Sequence, residues 1–235
     1  MSRRRTAVWS VVVALSLAVS PSTDAIAHLP TSTWYPFGSW DITPDPSKNW
    51  KFTAGFPSGS GQRDSVREGA DQWTNVSAAS FVWNETAEVA TWTGNEGCGQ
   101  TWGSGGSGNN TIRWRPISVT LGPDPLAATR ICSAGGNVYK FYIKFNSNWS
   151  GSFHWSGHTP DDVPSGEYDG WAVASHEFGH AVGFFGPYDD GHLDPGGQYC
   201  DGDLDHHTMC PDILIGKSRQ RTLEEHDIDT FQSLY

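Results

Sequence analysis

The chain has 235 residues and a formal net charge of −11 at pH 7, with 26 acidic and 15 basic side chains. A surface this acidic repels nucleic acid and anionic lipid, which excludes both as expected partners. The length suits one domain or two small ones, and we expect a monomer.

The first 27 residues have the pattern of a secretory signal peptide. Three arginines at positions 3, 4 and 5 precede an apolar run over 7–19, and an A-x-A cleavage site follows at 25–27. The apolar run is too short to span a bilayer comfortably, and no later stretch is long and apolar enough to do so. We therefore predict a secreted, extracellular protein that has no membrane contact after cleavage.

Four cysteines are present, and an exported chain with an even number of cysteines is expected to form disulfides. The sequence allows three pairings. We favour the sequential one, which joins Cys98 to Cys132 and Cys200 to Cys210.

Residues 28–60 are rich in Pro, Gly, Ser and Trp and have no periodicity, which predicts a loosely structured N-terminal arm with one short strand near 50–54. The character changes at residue 61. Val66, Ala70 and Trp73 then fall at i, i+4 and i+7, so we predict the first helix over 61–76.

A β-rich region follows the first helix. A glycine-rich tract at 103–110 lies between two strand candidates and predicts a long hairpin loop. Five runs rich in β-branched and aromatic residues are predicted as strands, and the last is the strongest: 80–84, 88–93, 111–116, 128–133 and 138–145.

Two further helices are predicted. The first covers 168–183 and stops at Gly183, and an acidic, irregular stretch over 187–205 comes after it. The last is predicted to be N-capped by Thr222 with Glu225 three residues on, and its apolar face comprises Leu223, Ile228, Phe231 and Leu234. This order of elements predicts one α+β domain over 61–235.

The second predicted helix carries His176, Glu177 and His180. Residues four apart lie on one helix face, so both imidazoles can bind one zinc ion. The carboxylate of Glu177 then lies close enough to take a proton from a zinc-bound water. This H-E-x-x-H pattern is typical of zinc metallopeptidases.

Three segments are informative together. Residues 176–183 read HEFGHAVG, residues 208–211 read TMCP, and the end of the chain reads LEEHDI…FQSLY. The first resembles the start of the metzincin zinc-binding pattern, the second a methionine turn, and the third the C-terminal helix of the matrixin branch of that family. The resemblance implies a zincin-like catalytic domain over 61–235, with a twisted, mostly parallel mixed sheet and an active-site helix. Met209 would form the floor of the zinc site. Matrixins often hold structural calcium, which the acidic stretch also allows.

The third zinc ligand departs from the family pattern, because the expected position is Gly186. Three protein ligands are usual for catalytic zinc. We predict His192, reached by a short insertion, and keep Asp189 and Asp190 as the alternatives. Other candidates lie further along the chain, at Asp194, His206 and His207.

Further histidines at 154 and 158 suggest either a structural zinc with Asp161 or Asp162, or a polar loop; we favour the loop. The favoured function is a secreted zinc endopeptidase, with one catalytic zinc and a protein or peptide substrate. Its substrate would pair with an edge strand near 138–145. The main alternative is a non-catalytic secreted β-rich binding module with a degenerate zinc site. A zinc amidase and a distant glutamate ligand at Glu224 or Glu225 fit the turn at 183 and the methionine turn less well.

Overall fold

The structure is a computed structural model with α+β architecture. It contains a mostly parallel mixed sheet and a few helices. It describes residues 25–26, 40, 46–59, 61–87, 110–117, 125–134, 137–157, 159, 161–184, 208–209 and 212–235.

Five described strands form the main sheet: β2 (Ser47–Phe52), β3 (Val82–Glu85), β4 (Thr111–Arg115), β5 (Ala127–Ala134) and β6 (Asn137–Asn146). Their order across the sheet is β3-β2-β4-β6-β5. All neighbours are parallel except β5, which runs antiparallel to β6.

Four of the predicted strands are confirmed as β3 to β6, with shifted ends. The strand expected near 50–54 is β2, and it lies inside the main sheet between β3 and β4. The run 88–93 and the tract 103–109 lie outside the described residues.

The expectation that the strand near 138–145 is an edge strand is wrong. This segment is β6, which pairs with β4 on one side and β5 on the other. Both of its backbone edges are therefore used, and no substrate can add to it. Among the described strands, the antiparallel strand β5 takes the edge position instead.

The helix α1 (Gln62–Thr74) confirms the first predicted helix. Val66, Ala70 and Trp73 are buried, as the 3.6-residue period requires. A Cβ on Gly69 would lie 2.6 Å from the Cβ of Ala174, so a glycine is needed where this helix meets the next one.

The helix α2 (Gly170–Val182) confirms the second predicted helix, and each of its residues is buried. Asp169 caps it by accepting a hydrogen bond from the Trp171 amide. Gly183 ends it with φ of 122°, a backbone conformation that side chains disfavour. On the sheet side, Phe178 packs against Phe141 with ring centroids 6.1 Å apart.

The helix α3 (Glu225–Leu234) confirms the last predicted helix, but the predicted cap is wrong. Glu224 is the N-cap residue and Asp227 completes the capping box. Thr222 lies earlier, in extended backbone after a 3₁₀ turn. The predicted apolar face is oriented correctly, because Phe231 is fully buried.

Four short strands complete the structure and were not predicted from sequence. β7 (Ser152–His154) pairs in parallel with β8 (Glu167–Asp169), and β1 (Ala25–Ile26) pairs antiparallel with β9 (Asp212–Ile213). β1 belongs to the predicted signal peptide, so the predicted cleavage after residue 27 would remove it. Among the helices described, none has the length and apolar character needed to cross a membrane.

Candidate metal centre

Two histidines lie side by side on α2. His176 and His180 are 0% and 3% exposed, and their ring centroids are 4.6 Å apart with planes at 88°. The four-residue spacing places both rings on one face of the helix. The structure therefore brings the first two predicted ligands together.

Backbone carbonyls determine which ring nitrogen of each histidine carries a proton. The Nδ1 atom of His176 lies 2.9 Å from the carbonyl oxygen of Thr208, and that of His180 lies 2.6 Å from the carbonyl oxygen of Phe184. A carbonyl oxygen can only accept, so each Nδ1 carries the proton and donates it. In the neutral ring, Nε2 then has the lone pair, and this is the form of histidine that binds metal ions.

Glu177 is fully buried beside the first histidine. Thr129 on β5 donates a hydrogen bond to its Oε2 atom and lies 3.1 Å from its backbone carbonyl oxygen. Oε1 is buried and has no hydrogen-bond partner in the described part of the chain. Burial raises the pKa of Glu177 well above its ordinary value, and the bond from Thr129 opposes that rise.

A buried methionine lies directly against the histidine helix. A Cβ added to Gly179 would come within 2.2 Å of the Met209 sulfur and 2.7 Å of Trp73 Cζ2. Met209 is 0% exposed. The preceding residue, Thr208, supplies the carbonyl that orients the first histidine. The predicted methionine turn thus contacts the same helix as the predicted ligands.

The C-terminal part of the chain holds this turn in place. The amide of Thr208 lies 3.4 Å from the Asp227 carboxylate, and its hydroxyl donates to the Thr222 carbonyl at 2.9 Å. Asp227 also accepts from the amide of Glu224 at 3.0 Å. The capping box of α3 is therefore linked to the turn beside the site. Glu224 is part of this cap, which argues against the distant-glutamate alternative.

A buried ion pair anchors the start of α2. The guanidinium of Arg221 lies 2.5 Å from Asp169 and stacks over the Trp171 ring at 5.2 Å. The backbone carbonyl of Arg221 accepts a hydrogen bond from the Ser175 hydroxyl at 3.1 Å. Burial raises the pKa of Asp169, and Arg221 acts against that rise. Sequence reasoning missed this pair, because 52 residues separate its members and no local pattern marks them.

The end of α2 is anchored by two aromatic side chains. Trp40 donates from its indole nitrogen to the Ala181 carbonyl at 2.8 Å. Tyr235 donates from its hydroxyl to the Val182 carbonyl at 2.6 Å. Carbonyls that the helix cannot satisfy internally are thereby bonded.

The predicted third ligand lies outside the described residues, as do its alternatives Asp189 and Asp190, so His192 stays a prediction. Within the ranges described, no group of three or more His, Cys, Asp or Glu residues is arranged to hold a metal ion. The acidic stretch considered for calcium is also outside these ranges. Cys132 is buried and is not a free thiol, but its predicted pairing is untested because the other three cysteines are not described.

The structure describes only part of the alternative second zinc site around His154, and that part gives no support for a bound metal. Both ring nitrogens of His154 face carboxylates, at 3.1 Å from Asp161 and 3.3 Å from Glu167. His158 lies outside the described residues. The visible cluster is a histidine held between two acidic side chains.

Comparison of the chain with known protein families finds no match, and a search of curated proteins finds none.

Proposed function

We propose that the protein is a secreted zinc endopeptidase of the metzincin type. One observation carries the proposal: the Nδ1 atoms of His176 and His180 both donate to backbone carbonyls, so in the neutral rings each Nε2 has the lone pair that a metal ligand needs. The Oε1 atom of the neighbouring Glu177 is a buried acceptor that has no hydrogen-bond partner among the described residues. Nitrogen donors of this kind fit zinc better than calcium or magnesium.

Zinc held by these histidines would supply a Lewis acid that acidifies a water molecule and polarises a peptide carbonyl. Glu177 takes one proton from the attacking water, whose oxygen forms the new bond to the carbonyl carbon. The same carboxyl then gives that proton to the amide nitrogen as the C–N bond breaks. His192, or else Asp189 or Asp190, remains the proposed third ligand.

The outer side of β5, which lies at the edge of the sheet as far as the chain is described, is the proposed place for an extended substrate. It is an antiparallel edge strand, and its Thr129 contacts the proposed base. A peptide can add to such an edge through main-chain hydrogen bonds. In this proposal β5 has the substrate-pairing role that the sequence suggested for 138–145.

The test uses the secreted chain purified without added metal. We expect about one zinc per chain and chelator-sensitive cleavage of an unfolded protein substrate. Glu177→Gln should abolish cleavage and keep the zinc, while Glu225→Gln, a change at an exposed glutamate, should alter neither. Zinc-free protein that ignores chelators would refute the proposal and favour the non-catalytic binding module.

A further inference from the structure

We propose that Thr129 is a positioning residue that holds the Glu177 carboxylate in one orientation, so that the oxygen it does not contact acts as the base. This inference rests on the proposed function, and it assigns a role to a residue outside the histidine motif. The hydroxyl contacts the carboxylate at Oε2, and Oε1 is buried without a hydrogen-bond partner among the described residues.

The two contacts of the Thr129 hydroxyl explain how it can hold the carboxylate. It lies within hydrogen-bond distance of both Oε2 and the backbone carbonyl oxygen of Glu177, the latter at 3.1 Å. Both acceptors belong to one residue, so the hydroxyl is located relative to the helix as well as to the side chain. The single hydroxyl proton goes to one acceptor at a time, and the charged carboxylate is the stronger one.

A carboxylate needs such a partner to keep its plane in one orientation. The last torsion of a glutamate is broad, so the carboxylate turns easily when neither oxygen is held. Proton transfer requires the receiving oxygen to be within hydrogen-bond reach of the water. A hydroxyl on Oε2 satisfies that oxygen and reserves Oε1 for the water.

The position of Thr129 in the fold suits this role. It lies within β5, where it is paired with Ile143 of β6, and is not on a loop. Groups carried by strands are held more precisely than groups on loops. The same strand is the proposed substrate edge, so one element would place both the substrate backbone and the base.

The variants separate the hydroxyl from the space it fills. Thr129→Val keeps the shape and removes the donor, and Thr129→Ser keeps the donor. Thr53→Val is the matched control, because the hydroxyl of the buried Thr53 also contacts a backbone carbonyl, that of Ile112 at 3.4 Å. We expect Thr129→Val to lower kcat by roughly 10- to 100-fold, with unchanged KM and zinc content. Thr129→Ser should stay within about threefold of wild type, and Thr53→Val should match wild type.

A second readout does not depend on activity. Crystal structures of the zinc-free proteins should show one carboxylate orientation of Glu177 in wild type and Thr129→Ser, and more than one in Thr129→Val. If wild type neither binds zinc nor cleaves, the proposed function fails, and these structures still decide the role of Thr129. If wild type is active and Thr129→Val keeps its kcat within twofold, the inference fails alone. Thr129→Ala replaces the valine variant if that variant does not fold.

Discussion

Replacing Gly179 with alanine tests the packing of the methionine turn against the histidine helix. The new Cβ would lie 2.2 Å from the Met209 sulfur and 2.7 Å from Trp73 Cζ2, both closer than carbon atoms normally approach. The tryptophan has little freedom to move, because it is 0% exposed and its indole donates to the Ser175 carbonyl at 2.8 Å. Either the helix or the turn must therefore shift.

Two opposing terms set the size of the effect. Alanine favours a helix interior over glycine by about 1 kcal/mol. Overpacking a filled core costs about 1–3 kcal/mol, and both neighbours of Gly179 are fully buried, so we expect the upper part of that range. The net loss is then about 1–2 kcal/mol, or a fall in Tm of roughly 3–6 °C for a domain of this size.

The assay is thermal and urea unfolding of the zinc-free protein. Gly59→Ala is the control, since a Cβ there meets nothing within 4 Å, and it should change stability by less than about 0.5 kcal/mol. Met209→Ala alone should cost about 2–5 kcal/mol. Combined with Gly179→Ala, it should cost about 1 kcal/mol less than the sum of the two single changes. A Gly179→Ala variant as stable as wild type would refute the contact.

Three further predictions concern charges around the site. Arg221→Ala should cost roughly 3–5 kcal/mol of stability in denaturant titrations, because it leaves the Asp169 carboxylate buried without its cation; an effect below about 1 kcal/mol would contradict the pairing. In the zinc-free protein, the raised pKa of Glu177 means that the folded state binds its proton more tightly than the unfolded state does. The free energy of unfolding should therefore fall as pH rises from the ordinary glutamate range through the folded-state pKa, and Glu177→Gln should remove that fall. If the free energies of unfolding of the two proteins change in parallel with pH, this prediction is wrong. Asp227→Ala should weaken zinc binding about 10- to 100-fold in a competition titration, since Asp227 braces Thr208, whose carbonyl orients a ligand; unchanged affinity would argue against this link.

The parts of the fold that follow local periodicity were predictable. The spacing of Val66, Ala70 and Trp73 gave α1 to within two residues at its C-terminal end, and Gly183 marked the end of α2. The pairing of His176 with His180 also follows from helix geometry alone. These features depend on residues less than eight apart.

Features that depend on distant residues were not predictable from one sequence. The position of β6 in the sheet is decided by strands on both sides, so its eight-residue pattern cannot show whether it is an edge. The contact of Thr129 with Glu177 joins residues 48 apart. The cap of α3 was misplaced because threonine is a preferred N-cap residue and glutamate is not, and only the backbone path after the 3₁₀ turn selects Glu224.

The acceptors that orient His176 and His180 are main-chain oxygens, those of Thr208 and Phe184. Every amino acid carries the same oxygen, so exchanging either residue for another leaves the acceptor in place. Ring orientation in this protein consequently depends on the path of the chain at those two positions, which the Thr208 hydroxyl helps to fix through its bond to the Thr222 carbonyl. It is most sensitive to insertions, deletions and prolines that displace the chain, and these are the lesions to seek among inactive natural variants.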